Sequence, residues 1–396
     1  MPRNSENPAL KRFTVFTAVS TLLLLCIGGL VTSHGAGLAV PDWPNTYGYN
    51  MFFFPVSQWV GGIFYEHSHR LVGSAVGFFV LILTFWVYGK KSRAFIRWGG
   101  VINLLLGLIV CWKYPQQLQN GIFLLGLGIF SILASFVWPR GEMEDKRLRR
   151  LALLALFTVT IQGILGGIRV TEMKDELGIF HGTLAQMFFV LICAMALIQT
   201  RFWKRLEKSH QMDTSGLRSI YILTTIVVLL QLALGATMRH QHAGLAIPDF
   251  PLAYGAVWPD TSEEAVASYN SRRLEVRDYN SITPFQIKLQ MVHRIVAAVI
   301  VVLIALSFWL TKRRLGGRHS LTRFAAFWMF LVVVQFFLGA ATIWTSKSAD
   351  IATAHVAVGA LTLVTGALMS MVAFKVLHSN SAVESSIPRF APVAAK

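Results

Sequence analysis

GLAVPDWPNTYG at Gly37–Gly48 returns as GLAIPDFPLAYG at Gly244–Gly255. Each copy follows a long apolar run and precedes another that opens on His-Arg: His69-Arg70 after the first, His293-Arg294 after the second. Two further segments, Gln162-x-x-Leu165-Gly166 and Gln335-x-x-Leu338-Gly339, lead at similar distances into His181 and His355. Three matches in the same order mark an internal repeat. The expectation is an all-α chain of two similar units fused head to tail, 1–205 and 206–396, each a four-helix bundle with a site in its core.

Composition sets the class. Of 396 residues, 54% are hydrophobic and only 14% charged, too few charges to cover a soluble surface of this size. Apolar runs long enough to cross a bilayer core recur at about 13–33, 70–88, 96–112, 121–138, 151–170, 179–200, 218–238, 287–310, 323–344 and 351–376. These ten runs predict a polytopic helical membrane protein with eight spans in the two bundles. The other two fall between Arg93 and Arg140, an insertion at about 94–140 that the second unit lacks. KYPQQLQ joins them, and Pro115 breaks the helix there. A full hairpin of two spans keeps the alternation of the chain; one re-entrant segment is the competing reading.

The net charge of +17 does not point to nucleic acid. With the N-terminus in the cytoplasm, inner segments hold 25 of the 36 Lys and Arg, densest in the loops Lys90–Arg97, Arg140–Arg150 and Lys312–Arg323. That is the positive-inside pattern. It places both termini in the cytoplasm and the repeat loops on the outer face of a lipid bilayer. No cleavable signal and no transit segment is expected, so a bacterial inner membrane is favoured. Cys26, Cys111 and Cys193 all fall in spans and offer neither a disulfide nor a CxxC couple.

Histidine carries the chemistry. His69, His181, His293 and His355 stand at the outward starts of four apolar helices, two per unit. Ionisable groups in a membrane are costly and usually functional, and imidazole is an axial ligand of haem iron. Two histidines in each of two matching units describe two haem sites. One asymmetry stands out: Glu66 lies three residues before His69, whereas Gln290 occupies the same place before His293. The carboxylate marks the first unit as the reactive one. Its plainer reading is a cap at the helix N-terminus, where acids are favourable.

These elements together resemble the haem A synthase family. The resemblance rests on Glu66-His67-Ser68-His69-Arg70, the loop Gly37–Pro44, the HG-x-x-AQ element at His181–Gln186, His293-Arg294 and His355, and covers almost the whole chain. It implies an eight-helix pseudo-two-fold fold, from which the 94–140 hairpin departs. The outer-loop cysteine pair carried by some members is also missing. It further implies an oxidoreductase that converts a ring methyl of haem O through an alcohol and a hydrated aldehyde to the formyl group of haem A, for a terminal cytochrome oxidase. His69 and His181 are then axial ligands of the substrate haem, and His293 and His355 those of a resident haem b. Glu66 is the catalytic carboxylate, and Arg70 and Arg294 pair with haem propionates. Implied partners are haem O synthase (protohaem farnesyltransferase) and cytochrome oxidase subunits. The alternative from a different class is a bis-histidine b-type cytochrome that only transfers electrons.

The remaining polar residues draw plainer readings. His34, His67, His240 and His242 are expected as loop histidines satisfied by water. Asp42 and Asp249 are expected to bond their own backbone two residues on. Trp43 and Phe250 are placed to cover a macrocycle, and 256–285 reads as a longer, charged outer insertion.

Overall fold

The computed structural model describes residues 7–206, 216–273 and 281–377. Arg3, Lys208, His210 and the segment from His378 onward lie outside them. Helices dominate: α1 (Pro8–Ser33), α2 (Gly61–Tyr88), α3 (Ser92–Lys113), α4 (Leu118–Val137), α5 (Lys146–Glu172), α6 (Asp175–Ile198), a short α7 (Arg201–Arg205), α8 (Leu217–His240), α9 (Glu263–Ser271), α10 (Pro284–Leu315), α11 (Ser320–Trp344) and α12 (Ala349–Val376). A two-residue pair, β1 (Asn45–Thr46) and β2 (Tyr49–Asn50), turns inside the first repeat loop. Among the described residues, nine stretches are long and apolar enough to cross a membrane. One of them, Gly61–Lys113, contains both α2 and α3, so ten helices answer the ten expected spans. This is an all-α, multi-pass membrane protein.

Local signals set the helix ends. Asn7 caps α1 ahead of Pro8, Asp145 caps α5, and Thr283 forms a capping box with Gln286 ahead of Pro284 at the start of α10. Within the spans, Thr14, Thr17, Thr21, Thr84 and Thr311 return their hydroxyls to carbonyls one turn back, which satisfies them without water.

Packing divides the long helices into two rings. α1, α2, α5 and α6 touch in sequence around one ring; α8, α10, α11 and α12 do so around the other. α1 and α6 of the first ring meet α8 and α12 of the second. The repeat loops lie at one end of both rings, called the loop end below; the Lys- and Arg-rich connections lie at the opposite, basic end. Trp328, fully buried between α11 and α12, donates its indole N–H to the Thr362 carbonyl at 2.8 Å.

The insertion is a hairpin of two full-length helices. α3 and α4 have 22 and 20 residues, about 33 and 30 Å at 1.5 Å per residue, enough for the hydrocarbon core. At the basic end Arg93 donates to the Trp138 carbonyl and Trp138 donates to that of Phe85. There too a hydrogen bond from Lys91, with the Arg149 and Lys90 charges, holds the Glu142 carboxyl below its ordinary range. At the loop end Asn50 donates to Asn120 at 2.8 Å. The turn between α3 and α4 therefore reaches the loop end, which a re-entrant segment would not.

Glycine joins the two helices. A Cβ on Gly100 would stand 2.8 Å from the Gly128 carbonyl oxygen, and one on Gly107 3.0 Å from that of Gly121. Such a small-residue seam lets backbones approach in lipid. Gly100→Leu and Gly107→Leu are expected to separate α3 from α4 while leaving the eight-helix rings assembled. Disulfide cross-linking between cysteines introduced across the seam, at Asn103 and Leu125, should fall at least several-fold; undiminished cross-linking would remove the seam from the account.

Candidate functional site

The histidines sit deeper than their sequence positions suggest. α2 begins at Gly61 and α10 at Pro284, so His69 is in the third turn of its helix and His293 likewise. The span of about 70–88 expected for α2 is short by nine residues at its start. Glu66, His67, His69 and Arg70 interrupt an apolar run, yet the folded loop supplies partners for the charges of Glu66 and Arg70. Glu66 is therefore not an N-terminal cap, and the four histidines are not at helix starts.

In the first ring, His69 on α2 faces His181 on α6 across the core, with ring centroids 6.5 Å apart. An imidazole–metal bond of about 2 Å on each side would set the centroids about 6 Å apart, so this spacing fits one metal between the rings. In the second ring His293 on α10 and His355 on α12 lie within electrostatic reach of each other. All four rings leave Nδ1 buried without a hydrogen-bond partner, a cost of about 1–3 kcal/mol each unless something else engages the ring. Among the described residues no cluster of three or more His, Cys, Asp or Glu could hold a bare metal ion. A pair of imidazoles is the donor set that a porphyrin iron, already bound by four ring nitrogens, takes axially.

Each imidazole lies on a glycine of the neighbouring helix. A Cβ on Gly28 of α1 would stand 3.0 Å from Cε1 of His69, and one on Gly166 of α5 3.4 Å from that of His181. In the second ring a Cβ on Gly235 of α8 would stand 3.5 Å from Cε1 of His293, and one on Gly339 of α11 3.1 Å from that of His355. Four residues earlier on three of these helices is a glutamine. Gln162 donates to the His181 carbonyl at 3.0 Å, Gln231 donates to that of His293 at 2.9 Å, and the Gln335 amide lies 3.4 Å from His355 Nε2. On α1 the same place is Leu24. A Q-x-x-x-G step thus fixes helix register and gives the ring a flat seat. Gly339→Leu is expected to displace the His355 ring, since this contact has no room for a branched side chain. Binding of added porphyrin at the second ring should be lost while binding at the first remains; both intact would show the seat to be incidental.

The repeat loops close the loop end in the same way twice. Asp42 accepts from the backbone N–H of Tyr47 and Gly48, both at 2.8 Å, and Asp249 accepts from those of Tyr254 and Gly255. The bonds reach five and six residues on rather than two, because the loop doubles back through Tyr47 and Gly48 at φ +49° and +80°. The Tyr47 hydroxyl donates to the Ala39 carbonyl, and that of Tyr254 to Ala246. Beneath the first loop Arg70 donates to the carbonyls of Val40, Asp42 and Asn45 and to Glu66, so four of its five N–H groups are engaged. Arg294 donates to Asp249 and Leu252 and lies over the Phe250 ring. Both arginines hold their loops down.

Glu66 and Gln290 do one structural job. A Glu66 oxygen accepts the Val40 N–H at 2.8 Å, and the Gln290 amide oxygen accepts the Ile247 N–H at 2.7 Å. Both side chains are buried. The loop needs an acceptor there and not a charge, since the second ring manages with an amide.

Other expectations change. His67 is not a hydrated loop residue; it is fully buried under the first loop among Phe54, Trp59 and Thr46, its Nδ1 3.2 Å from the Thr46 hydroxyl. His240 packs its ring directly on Gly178 of α6 at the junction of the rings. His34 stacks on Tyr65 at 4.1 Å. Trp43 lies against Gly167 of α5. Part of the 256–285 insertion forms α9, whose Tyr269 stacks on Tyr254 and whose Asn270 bonds the Ile282 backbone both ways, bracing the second loop.

Comparisons with known proteins follow the same line. The sequence profile of a family described as cytochrome oxidase assembly protein matches residues 123–367, which include His181, His293 and His355. A protein named "Heme A synthase" from Shouchella clausii is 22% identical over 338 residues, 85% of this chain and 87% of its own. One of that name from Symbiobacterium thermophilum is 31% identical over 237 residues, 58% and 70% of the two chains. Another from Anaplasma marginale (strain Florida) is 28% identical over 365 residues, 88% and 89%.

Proposed function

The chain belongs to the cytochrome oxidase assembly protein family, and from that premise we propose that it is a haem A synthase, an oxidoreductase that turns haem O into haem A for a terminal cytochrome oxidase. The observation that carries the reading is the pair of imidazole pairs, each across a four-helix ring and each seated on glycines. Its substrate, haem O, is held by His69 and His181. A resident haem b is held by His293 and His355, and when bound it supplies one-electron redox chemistry. This division follows from Glu66, which only the first ring carries.

Everything else falls to the chain. The repeat loops, pinned by Asp42 and Arg70 and by Asp249 and Arg294, cover the loop end and keep water from the ring edges. Gln290 anchors the second loop without a charge, so the Glu66 carboxylate, held in place by Val40 and Arg70, carries a charge that anchoring does not require. Oxidation of a ring methyl builds positive charge on that carbon. A fixed carboxylate in a water-poor site stabilises this charge or takes the proton from an attacking water. Each oxidation adds one water oxygen and releases two protons and two electrons, the electrons passing to an external electron acceptor; the first gives the alcohol, the second the hydrated aldehyde, and loss of water leaves the formyl group. Arg70 meets a propionate only through its remaining Nε–H, whereas Arg294 keeps three N–H groups for one.

Orientation follows from the basic end, which faces the cytoplasm of a bacterial inner membrane; both termini then lie inside and both haem sites face outward. A haem O synthase supplies the substrate, and cytochrome oxidase subunits receive the product. A bacterial host that makes haem O but no haem A tests the reading. Expression of this chain should yield haem A or its alcohol precursor in extracted pigments. Well-folded, haem-loaded protein with neither pigment would overturn it.

The same orientation predicts that a reporter fused at Gln117 reads outside and one at Glu144 inside. Both reading inside would contradict the proposed topology.

A further inference from the structure

We propose that Arg169 anchors a propionate carboxylate of the porphyrin held by His69 and His181 and thereby sets which ring methyl faces Glu66; the proposal rests on the first ring being the substrate site. Arg169 is on α5, three residues beyond Gly166, the glycine under His181. Residues three apart share a helix face, about 4.5 Å along the axis, so Arg169 stands one turn nearer the loop end than the imidazole. Its guanidinium packs over Gly37, where a Cβ would lie 2.7 Å from one terminal nitrogen. It is within electrostatic reach of His69, His181 and Glu66.

No hydrogen bond or ion pair among the described residues engages this guanidinium. Glu66 and Asp175 are within its field, but neither bonds it: Glu66 is committed to Val40 and Arg70, and Asp175 lies 3.8 Å from Nδ1 of His240. A half-buried cation beside an apolar core without an anion is unfavourable, and a planar five-donor fork is the group that takes a carboxylate in two parallel bonds. In the second ring the cation over the equivalent glycine, Gly244, is a lysine, Lys347, whose side chain would lie 3.7 Å from a Cβ there and which has no planar fork. The position corresponding to Arg169 is Thr342, whose hydroxyl returns to the Gly339 carbonyl at 2.6 Å. The arginine at that level, Arg239, is on α8 and donates to Gly29 and Ser33 of α1, sealing the junction between the rings.

Two axial imidazoles leave a macrocycle free to turn about the line joining them. A carboxylate held at one edge removes that freedom. Two of the four pyrroles bear a propionate and a methyl together, and the formyl group of haem A replaces the methyl on one of these two. A propionate on Arg169 therefore brings the methyl beside it towards Glu66, whose field Arg169 shares. Arg169 is on this account a positioning residue, distinct from the carboxylate that acts on the methyl.

The test is a binding measurement that needs no turnover. Full-length protein in detergent, with its resident haem loaded, is titrated at the first site with protohaem and with protohaem dimethyl ester, whose carboxylates are blocked. Wild type should prefer the free acid by about tenfold to a hundredfold, the range of a charge-assisted bond pair. Arg169→Gln should bind both forms alike within about threefold, keep the low-spin spectrum of two imidazoles and retain the resident haem. Arg169→Lys, which keeps the charge, should hold a preference above about threefold and serves if the glutamine variant fails to assemble. A wild-type preference in Arg169→Gln, or none in an assembled Arg169→Lys, overturns the anchor. Absence from wild type of any binding that His69→Ala abolishes would instead overturn the substrate-site reading, whatever Arg169 does.

Discussion

His293→Ala and His355→Ala are expected to strip the resident haem b from the purified protein, with more than a tenfold drop in bound protohaem. His69→Ala and His181→Ala should leave that haem in place and abolish formation of haem A. The expectation rests on the separation of the two pairs. Each pair spans one ring of helices, and each imidazole has its own glycine seat on a helix of the same ring. Losing one of two axial ligands removes half of the protein's bonds to the iron, while the other ring keeps its own seats. Pyridine-haemochrome spectra and pigment extraction read both outcomes. Equal loss of a single kind of haem from all four variants would show one shared pool of sites and end the division.

Glu66→Gln is expected to remain folded with both porphyrins bound, yet to form less than about a hundredth of the wild-type haem A, accumulating haem O or its alcohol. The fold is expected to hold because an amide already does this job in the second ring: Gln290 accepts the Ile247 N–H at 2.7 Å as Glu66 accepts that of Val40 at 2.8 Å. The activity expectation is large because an electrostatic group fixed beside developing charge contributes about 3–4 kcal/mol to the barrier in comparable cases. The variant does release one partner of Arg70, whose three carbonyl contacts remain to hold the loop. Near-normal haem A from Glu66→Gln would reduce Glu66 to the loop anchor that Gln290 is.

Much of this was legible in the sequence because lipid imposes a simple code: apolar runs of about twenty residues become spanning helices. The ten runs match ten helices, and the repeated loop pointed to two matching rings. Where the reading ran short, tertiary partners were responsible. Glu66, His67 and Arg70 are polar in any hydropathy window, so α2 seemed to begin near residue 70; only the folded loop, with its carbonyls and the Val40 N–H, makes a helical start at Gly61 compatible with burial. His67 looked like a hydrated residue for the same reason. The glycine seats left a trace that aligning the repeat would have exposed, since Gly28 and Gly235 both precede their loops by nine residues. The Q-x-x-x-G step was half seen, at Gln162 and Gln335 but not at Gln231. Arg169 left none, because its counterpart is Thr342 and a lone arginine near a span end reads as an interfacial anchor.

The central claim is that the two histidine pairs hold chemically different porphyrins, one resident and one in the course of conversion. Extraction and mass analysis of the haems that copurify with the wild-type protein, made in cells that synthesise haem O, tests it most directly. The account predicts protohaem together with haem O, its alcohol or haem A. Two equivalents of protohaem and nothing else would contradict it and identify the chain as an electron-transfer cytochrome.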